Sequence, residues 1–563
     1  MRPVLRNPSY VPASEVFPWD YNGAHGMALT SGTKLGPYEL QSALAAGPRS
    51  SSRHRLSGDG VSGGEGPRLP QDTGRPLTMN DSSGWPINAS PTNALRRELG
   101  RWDLALLFVV AILNLNTVSS IATSGPVALW LWLVALLCFF LPQGIAVIEL
   151  SHRYPAEGGF YLWSKEVFGD FHGFIAGWAY LTTNVFYIPF VLLYLLGIGL
   201  YVGGPRARMV IDKPLVAFPA VLCALFLITV VNVVGVRVGK WVNNLGGIGT
   251  LLAAAVLVGM SAWSFGTHGA NLHPSDLVHL HLDWTIVSAF GAMCFSLIGL
   301  ELASIMGDEI RNPERTLPSA IALSGIVCGL LYVATTAALL VAIPADQIGV
   351  VQGIVEAISR MSQRVGLPWI LPALAIILSI SVIGIASAWL TGAARLPFVF
   401  GLDRYLPPAL GRLHPRYKTP HVALIAQSTV CALFLSMTFA GAAVKEAFIT
   451  MLDLSAVLNL VPYIYIFAAI LMLTSDKKAA LRPPGRFGNY TLRIVGSVGL
   501  LTTLLAIAVV FVPSKQVGSV PLFELKMFAG SLFFLGLGAF FFYNGRKAAR
   551  VTLKSFGHGT HKE

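Results

Sequence analysis

Charge is scarce in this 563-residue chain: Asp, Glu, Lys and Arg make up only 12% of it, about half the share of an ordinary soluble protein. What charge there is leans basic, with 40 Lys and Arg against 28 Asp and Glu and a formal net charge of +12. Such a balance can signal nucleic acid, but the cations sit in loops between long apolar runs, so no nucleic-acid partner is expected. Cysteine is scarce too. Cys138, Cys223, Cys294, Cys328 and Cys431 fall singly inside apolar segments, which excludes a disulfide framework or a zinc site and leaves small core residues. Histidines are scattered through tails and loops, and no nucleophile–base spacing is present, so neither an enzyme nor a cofactor is expected. The polar lining repeated along several helices that a channel needs is missing, and so is a signal-peptide apolar core.

Apolar sequence fills the rest. Hydrophobic residues make up 54% of the chain, in recurring runs of ~20 that each suffice to cross a ~30 Å hydrocarbon core. The expected class is all-α integral membrane, embedded in a lipid bilayer. Residues 1–94 are Gly-, Ser-, Pro- and Arg-rich and read as a disordered cytoplasmic tail, or, up to Met79, as an upstream extension. The membrane domain covers 95–545, and 546–563 is a short basic tail. Twelve transmembrane helices are expected at about 102–124, 127–150, 172–202, 214–235, 241–264, 284–308, 318–342, 369–400, 421–440, 445–473, 492–513 and 521–544. With both termini cytoplasmic, Lys and Arg gather on the inner side: Arg96, Arg97, Arg101, Arg237, Lys240, Arg311, Arg315, Arg404, Arg412 and the clusters near Lys477 and Arg546. Arg206, Arg208 and Lys213 run against the trend, yet the positive-inside rule is satisfied for a multi-pass protein of the plasma membrane.

Two of the twelve segments are unlike the others. In Asp283–Pro318 an apolar run is interrupted by Ser296, Gly299 and Glu301. A carboxylate at mid-bilayer costs about 3 kcal/mol on insertion scales and marks a functional site. Five spans earlier, the first segment carries Asn114, Asn116, Thr117, Ser119, Ser120, Thr123, Ser124, Gly125 and Pro126. Two interruptible helices five spans apart suggest an inverted repeat, spans 1–5 matched by 6–10 with two helices appended. Unwound at mid-membrane, such helices offer free N–H groups to a carboxylate and free carbonyls to an ammonium. An amino acid carries both charges. For Ser119 and Ser120 the alternative is close helix packing by small residues; for Glu301 it is pairing with a neighbouring helix.

Three stretches carry a resemblance. ELSHRYPAEGGFYLWSKEVFGDFHGFIAGW (Glu149–Trp178), FSLIGLELASIMGDEIRNPERTLPSA (Phe295–Ala320) and SAWLTGAARLPFVFGLDRYLPPAL (Ser387–Leu410) resemble the amino acid–polyamine–organocation (APC) permeases, in the right order around twelve spans. The likeness covers about Leu95–Tyr543. It implies a LeuT-like five-plus-five inverted repeat plus two C-terminal helices, and secondary transport of amino acids or related amines. Residue by residue, Thr117, Ser120 and Ile121 match the helix 1 break, where the family's Gly-Ser-Gly is replaced by Ser-Ser-Ile; Ser119 belongs to the same stretch. Phe295 and Ser296 match the positions before the helix 6 break, Ile298 a pocket-lining position, and Glu301 an acid used for proton coupling or gating. Trp389 falls where bacterial arginine/agmatine antiporters place a tryptophan over a guanidinium; stacking of ~1–2 kcal/mol would favour a basic substrate, and packing is the alternative. Asn184, a polar residue midway along the third span, reaches the pocket or makes an interhelical hydrogen bond.

For the energy source, some relatives put a lysine in the fifth helix. Nothing between Trp241 and Phe265 is charged. Sodium-coupled relatives use hydroxyls on helix 8, for which Ser379 and Ser381 are available. Glu301 is the only strong titratable candidate in the core, since taking a carboxyl out of water favours its protonated form. Proton-coupled symport or exchange therefore leads, with sodium coupling or polyamine/organocation transport as alternatives. Tyr154, Pro155, Gly158 and Gly159 read as an inner-loop turn, with Arg153, Arg311 and Arg315 bridging to Glu149, Asp308 and Glu309. His279, His281 and Asp283, with His268 and His273 upstream, form a loop pattern better read as solvated than as metal-binding.

Overall fold

The computed structural model describes residues 98–557 except 155–157, 203–213, 270, 279–283, 351, 442–443, 476–484 and 513–518, and in the N-terminal region only Lys34–Leu35 and Tyr38–Glu39, an antiparallel pair of short strands. The rest of the expected 1–94 tail, the His279–Asp283 pattern and Pro155 lie outside the described residues. The remainder is helical. The elements are α1 (Arg101–Ile112), α2 (Leu115–Ala122), α3 (Val127–Ala135), α4 (Leu141–Arg153), α5 (Phe160–Phe168), α6 (Asp170–Val202), α7 (Pro214–Val234), α8 (Val236–His268) and α9 (Trp284–Ser296). They continue with α10 (Leu302–Ile305), α11 (Pro313–Ala342), α12 (Gly353–Arg364), α13 (Ile370–Ala393), α14 (Arg395–Leu402), α15 (His421–Gly441), α16 (Val444–Ser475), α17 (Asn489–Val510) and α18 (Val520–Gly557).

Ten described helices or helix pairs are long and apolar enough to cross a membrane, and they overlie ten of the twelve expected segments. The expected sixth segment is the interrupted pair α9 and α10, and the expected ninth is α15, whose apolar stretch His421–Ser436 is shorter. Uniform hydrophobicity makes these helices: with no water to satisfy backbone groups, an apolar run in lipid closes its own hydrogen bonds. Many large apolar side chains such as Leu137, Phe226, Trp241 and Leu532 point outward, as a lipid-facing surface requires.

The helices pack through small residues. α13 lies against α8 and α6, α6 against α16, and α1 against α8 and α11. At the α8–α13 crossing, a Cβ on Gly246 would sit 2.7 Å from Gly384 Cα, so both must be glycine for the backbones to approach this closely. Between α3 and α4, Leu136–Phe140 is a π-helical turn just ahead of Pro142, the local widening that often marks a functional stretch.

Gly384→Val forces side-chain carbon into the α8 backbone and should cost about 1–3 kcal/mol by overpacking. A lowered melting temperature of the detergent-purified variant is expected; an unchanged melt would show that the helices need not approach this closely.

Candidate functional site

Both polar segments are interrupted, and the interruptions touch. α1 ends at Ile112 and α2 begins at Leu115, with Leu113 and Asn114 outside helical geometry (Asn114 φ −86°, ψ 87°). α9 ends at Ser296 and helix resumes only at Leu302. Gly299, with φ 141°, sits in that gap, and a Cβ there would lie 2.8 Å from Ile112 Cγ1. A side chain is excluded twice, by backbone conformation and by space. The first opening falls at Leu113–Asn114, earlier in the chain than Thr117, Ser120 and Ile121, the positions that the resemblance matched to it. Part of the reason is local: Asn114 bonds its own backbone surroundings, donating from Nδ2 to Ala111 O at 3.2 Å, the competition with helical bonding for which Asn is known.

One hydroxyl serves both gaps. Tyr332 OH on α11 accepts from Asn114 N–H at 2.9 Å and lies within bonding reach of the carbonyls of Ser296, at 2.9 Å, and Ile112. Tyr187 on α6 donates to Asn114 Oδ1 at 2.7 Å. Thr117 Oγ1 donates to Asn114 O and is 2.8 Å from Ser296 Oγ, which joins the two segments directly. Trp389 donates its indole N–H to Ala111 O at 3.2 Å, with its ring 5.2 Å from Tyr187 and 5.9 Å from Tyr180. Phe295 packs edge-on to Tyr187 at 5.7 Å.

Glu301 is fully buried and surrounded by donors. Its carboxylate accepts from Gly299 N–H (2.9 Å), Tyr180 OH (3.0 Å), Tyr463 OH (2.5 Å) and, more loosely, Gln143 Nε2 (3.4 Å). Gln143 Nε2 also donates to Tyr463 OH at 2.9 Å. The acid thus ties the gap in the sixth crossing to α4, α6 and α16. A carboxylate that accepts from several donors is stabilised where a bare one would not be tolerated.

The expected site residues divide. Thr117, Phe295, Ser296, Ile298, Trp389 and Glu301 lie at or beside the two gaps, and all are buried. Asn184 is buried on α6, giving Nδ2 to Tyr180 O at 3.0 Å while its Oδ1 has no partner. Ser119, Ser120 and Ile121 lie farther along α2, away from the first gap. Ser119 Oγ accepts from Ile354 N–H at 3.1 Å and so docks the loop helix α12; Ser120 O accepts from Thr123 Oγ1 at 2.6 Å. Tyr332, Tyr463, Tyr180 and Gln143 were not anticipated. Their only sequence signal is a hydroxyl or amide standing alone in an apolar run. Glu301 is also not the sole acid within the spans: Asp453 lies inside the candidate span Thr450–Ser475. Ser379 gives its hydroxyl to Ala375 O, and Ser381 bonds Thr250 on α8. The described residues contain no cluster of His, Cys, Asp and Glu able to hold a metal.

Ion pairs close the basic end of the bundle. Arg395, at the start of α14, meets Glu309 at 2.5 Å with both side chains buried. Sequence pairing had assigned Glu309 to other arginines; of these, Arg153 meets Glu149 at 2.6 Å as expected, while Arg311 lies 3.9 Å from Glu98 in an exposed pair. Glu98 and Leu99 both donate their N–H to Glu309 O at 3.0 Å, and Arg311 N–H returns to Leu99 O at 2.9 Å. The segment before α1 is thereby strapped to the loop after α10. Beside it, Tyr161 on α5 donates to Asp403, which also meets Lys165 at 2.7 Å. Burial, and then the Asp403 charge, hold the Tyr161 phenol well above its usual range, so it stays a donor at physiological pH.

An all-helical membrane bundle with two touching interruptions is a LeuT-like arrangement, and the fold is similar to the crystal structure of MhsT in complex with L-phenylalanine: TM-score 0.56, 14% identity, covering 74% of this chain and 100% of that one. A family model described as amino acid permease matches residues 99–525. The chain is 27% identical over 451 residues to an uncharacterised transporter of Legionella pneumophila, covering 79% of this chain and 96% of that protein. It is 26% identical to the branched-chain amino acid permease BcaP of Bacillus subtilis, over 62% of this chain and 76% of that protein. This chain belongs to the amino acid permease family within the APC superfamily: a multi-pass amino acid/amine transporter, not an enzyme.

Tyr332→Phe keeps the ring, stacked 4.3 Å from Trp132, but leaves Asn114 N–H and two carbonyls without their shared partner. A loss of about 1–3 kcal/mol is expected, read as a lower melting temperature together with reduced uptake. A variant that melts and transports like the wild type would show that the gaps are satisfied in another way.

Proposed function

We propose that this transporter carries an amino acid across the plasma membrane by alternating access, binding it between the two interrupted crossings. The observation that supports this most directly is the contact of Gly299 with Ile112, which brings the unwound backbone of both crossings to one point. On this reading α9–α10 and α15 complete twelve crossings, arranged as a five-plus-five inverted repeat with α17 and α18 appended. The basic end, and both termini, face the cytoplasm. With Arg395–Glu309 closing that end and α12 docked on α2 at the other, the substrate cradle is shut from both sides.

Within the cradle, the turn Asn114–Thr117 takes over the carboxylate role first given to Ser119–Ile121, because the Ser119 hydroxyl is engaged by α12. Asn116 supports this: it is buried immediately beyond the gap, and neither of its amide atoms has a partner. Phe295, Ser296 and Ile298 hold the ammonium and act as a lid, with Asn184 and Trp389 shaping the side-chain pocket. The apolar walls favour a neutral side chain, in keeping with the branched-chain substrates named for BcaP. A polyamine or organocation substrate would rest on cation–π stacking over Trp389.

Glu301 is the proposed coupling acid, through proton symport or exchange. Protonation would remove the charge that gathers Tyr180, Tyr463 and Gly299, which links a proton to the geometry of the gap. Sodium coupling is the second reading; Ser379 and Ser381 are its candidates, and both hydroxyls already have partners.

Proteoliposome uptake of a panel of amino acids and amines, under imposed proton or sodium gradients, tests these assignments. Saturable, stereoselective uptake driven by a pH gradient is expected, with Glu301→Gln losing proton-driven accumulation and keeping exchange. Undiminished accumulation in Glu301→Gln would remove the acid from coupling, a sodium requirement would favour the second reading, and flux without saturation would favour a channel.

A further inference from the structure

We infer that the transporter has a second amino-acid site, at its basic end and separate from the cradle; this rests on the reading that the protein handles amino acids. A cavity of about 200 Å³ lies among the ends of α4, α5, α10 and α11. None of the residues placed at the two gaps lines it, which sets it apart from the cradle although α10 borders it.

Its wall is built rather than incidental. Glu149, fully buried, accepts from Arg153 Nε at 2.6 Å and from the backbone N–H groups of Arg486 at 2.8 Å and Phe487 at 3.1 Å. Gly485 fits only as glycine, since a Cβ there would run into Arg153 and Glu149. A buried carboxylate therefore fixes the backbone at Arg486, an exposed residue that lines the cavity. Glu314, in the first turn of α11, supplies a carboxylate to the same cavity. Deeper in, Trp163 is 1% exposed, and neither its indole N–H nor the Ser151 hydroxyl has a partner. Buried polar groups in native proteins are nearly always satisfied, so two at one cavity point to a ligand that brings acceptors. The rest of the lining mixes the polar side chains of His152, Tyr154 and Ser304 with apolar ones, including Ile148 and Leu317.

A cation, an anion and two orphaned donors around a partly apolar pocket match a zwitterion: carboxylate toward Arg486 and the donors, ammonium toward Glu314, and an apolar side chain against Ile148 and Leu317. Glu314 disfavours a dianion such as phosphate in the same place. Ala303, Ser304 and Gly307 line the cavity too, and Ser304 donates to Glu301 O at 2.6 Å. A cytoplasmic amino acid seated there braces the segment that carries Glu301, which provides a means of slowing uptake when the cell is replete.

The test is equilibrium binding of each radiolabelled common amino acid to the purified full-length transporter in nanodiscs, with inorganic phosphate as competitor. Two molecules per chain are expected for an amino acid that is also transported. One is expected for the Arg486→Gln/Glu314→Gln double variant, and binding at the second site about tenfold weaker for Trp163→Phe. One molecule per wild-type chain, unchanged in the variants and with uptake intact, would overturn the second site and leave the transport reading standing. Displacement of the second molecule by phosphate would make it an anion site and overturn the proposal. No binding and no uptake of any amino acid by the wild type would overturn both readings. A melting temperature equal to the wild type's separates loss of the site from misfolding.

Discussion

A gap in a helix at membrane depth can persist only if something other than water satisfies the backbone groups it frees. Here a single phenolic oxygen, that of Tyr332, takes the N–H of Asn114 and reaches the carbonyls of Ile112 and Ser296. The two gaps therefore share a partner, in addition to local bonds such as Asn114 N–H to Ile112 O at 2.7 Å and Gly299 N–H to Glu301. Gly299 makes the sharing possible, because any larger residue would push the sixth crossing away from Ile112. Much of the neighbouring detail follows from this contact, including the Thr117–Ser296 bond and the anchoring of Trp389 to Ala111 O.

Glu301 extends the same constraint sideways. Its carboxylate collects the freed Gly299 N–H together with hydroxyls from α6 and α16, so the break is braced by the helices on either side. The charge is tolerated because its oxygens are occupied by donors, which a lipid-facing acid could not achieve. At the basic end a different chemistry takes over. The contacts there are Arg395–Glu309, Arg153–Glu149 and a backbone strap from Leu99 to the loop after α10. A buried pair that loses its partner is costly, so any separation of these segments must offer each charge water or another partner.

Much of this was legible in the residues. A low charge share, ~20-residue apolar runs and basic loops are enough to infer a multi-pass helical membrane protein, and Ser296, Gly299 and Glu301 marked the sixth crossing as interrupted. Three separated motifs carried the family. The first gap was misplaced because the polar stretch from Asn114 to Pro126 contains many residues able to break a helix, and composition alone does not rank them. Asn114 prevailed because Tyr187 and Tyr332 stand beside it in space. Asp453 is equally visible in an apolar run, but no glycine stands beside it as Gly299 stands beside Glu301.

What the sequence determined by itself is the solvent each segment accepts, since hydrophobic length decides which segments become helices able to cross a bilayer. Which polar atoms meet is a different matter. Residues such as Asn114 and Tyr332, or Glu309 and Arg395, lie far apart in the chain, and their bonds depend on how neighbouring helices are rotated and how closely glycines let them approach. Only the packed bundle decides that, because a hydrogen bond or buried ion pair requires its partners within about 3 Å, a precision that periodicity along one helix does not carry.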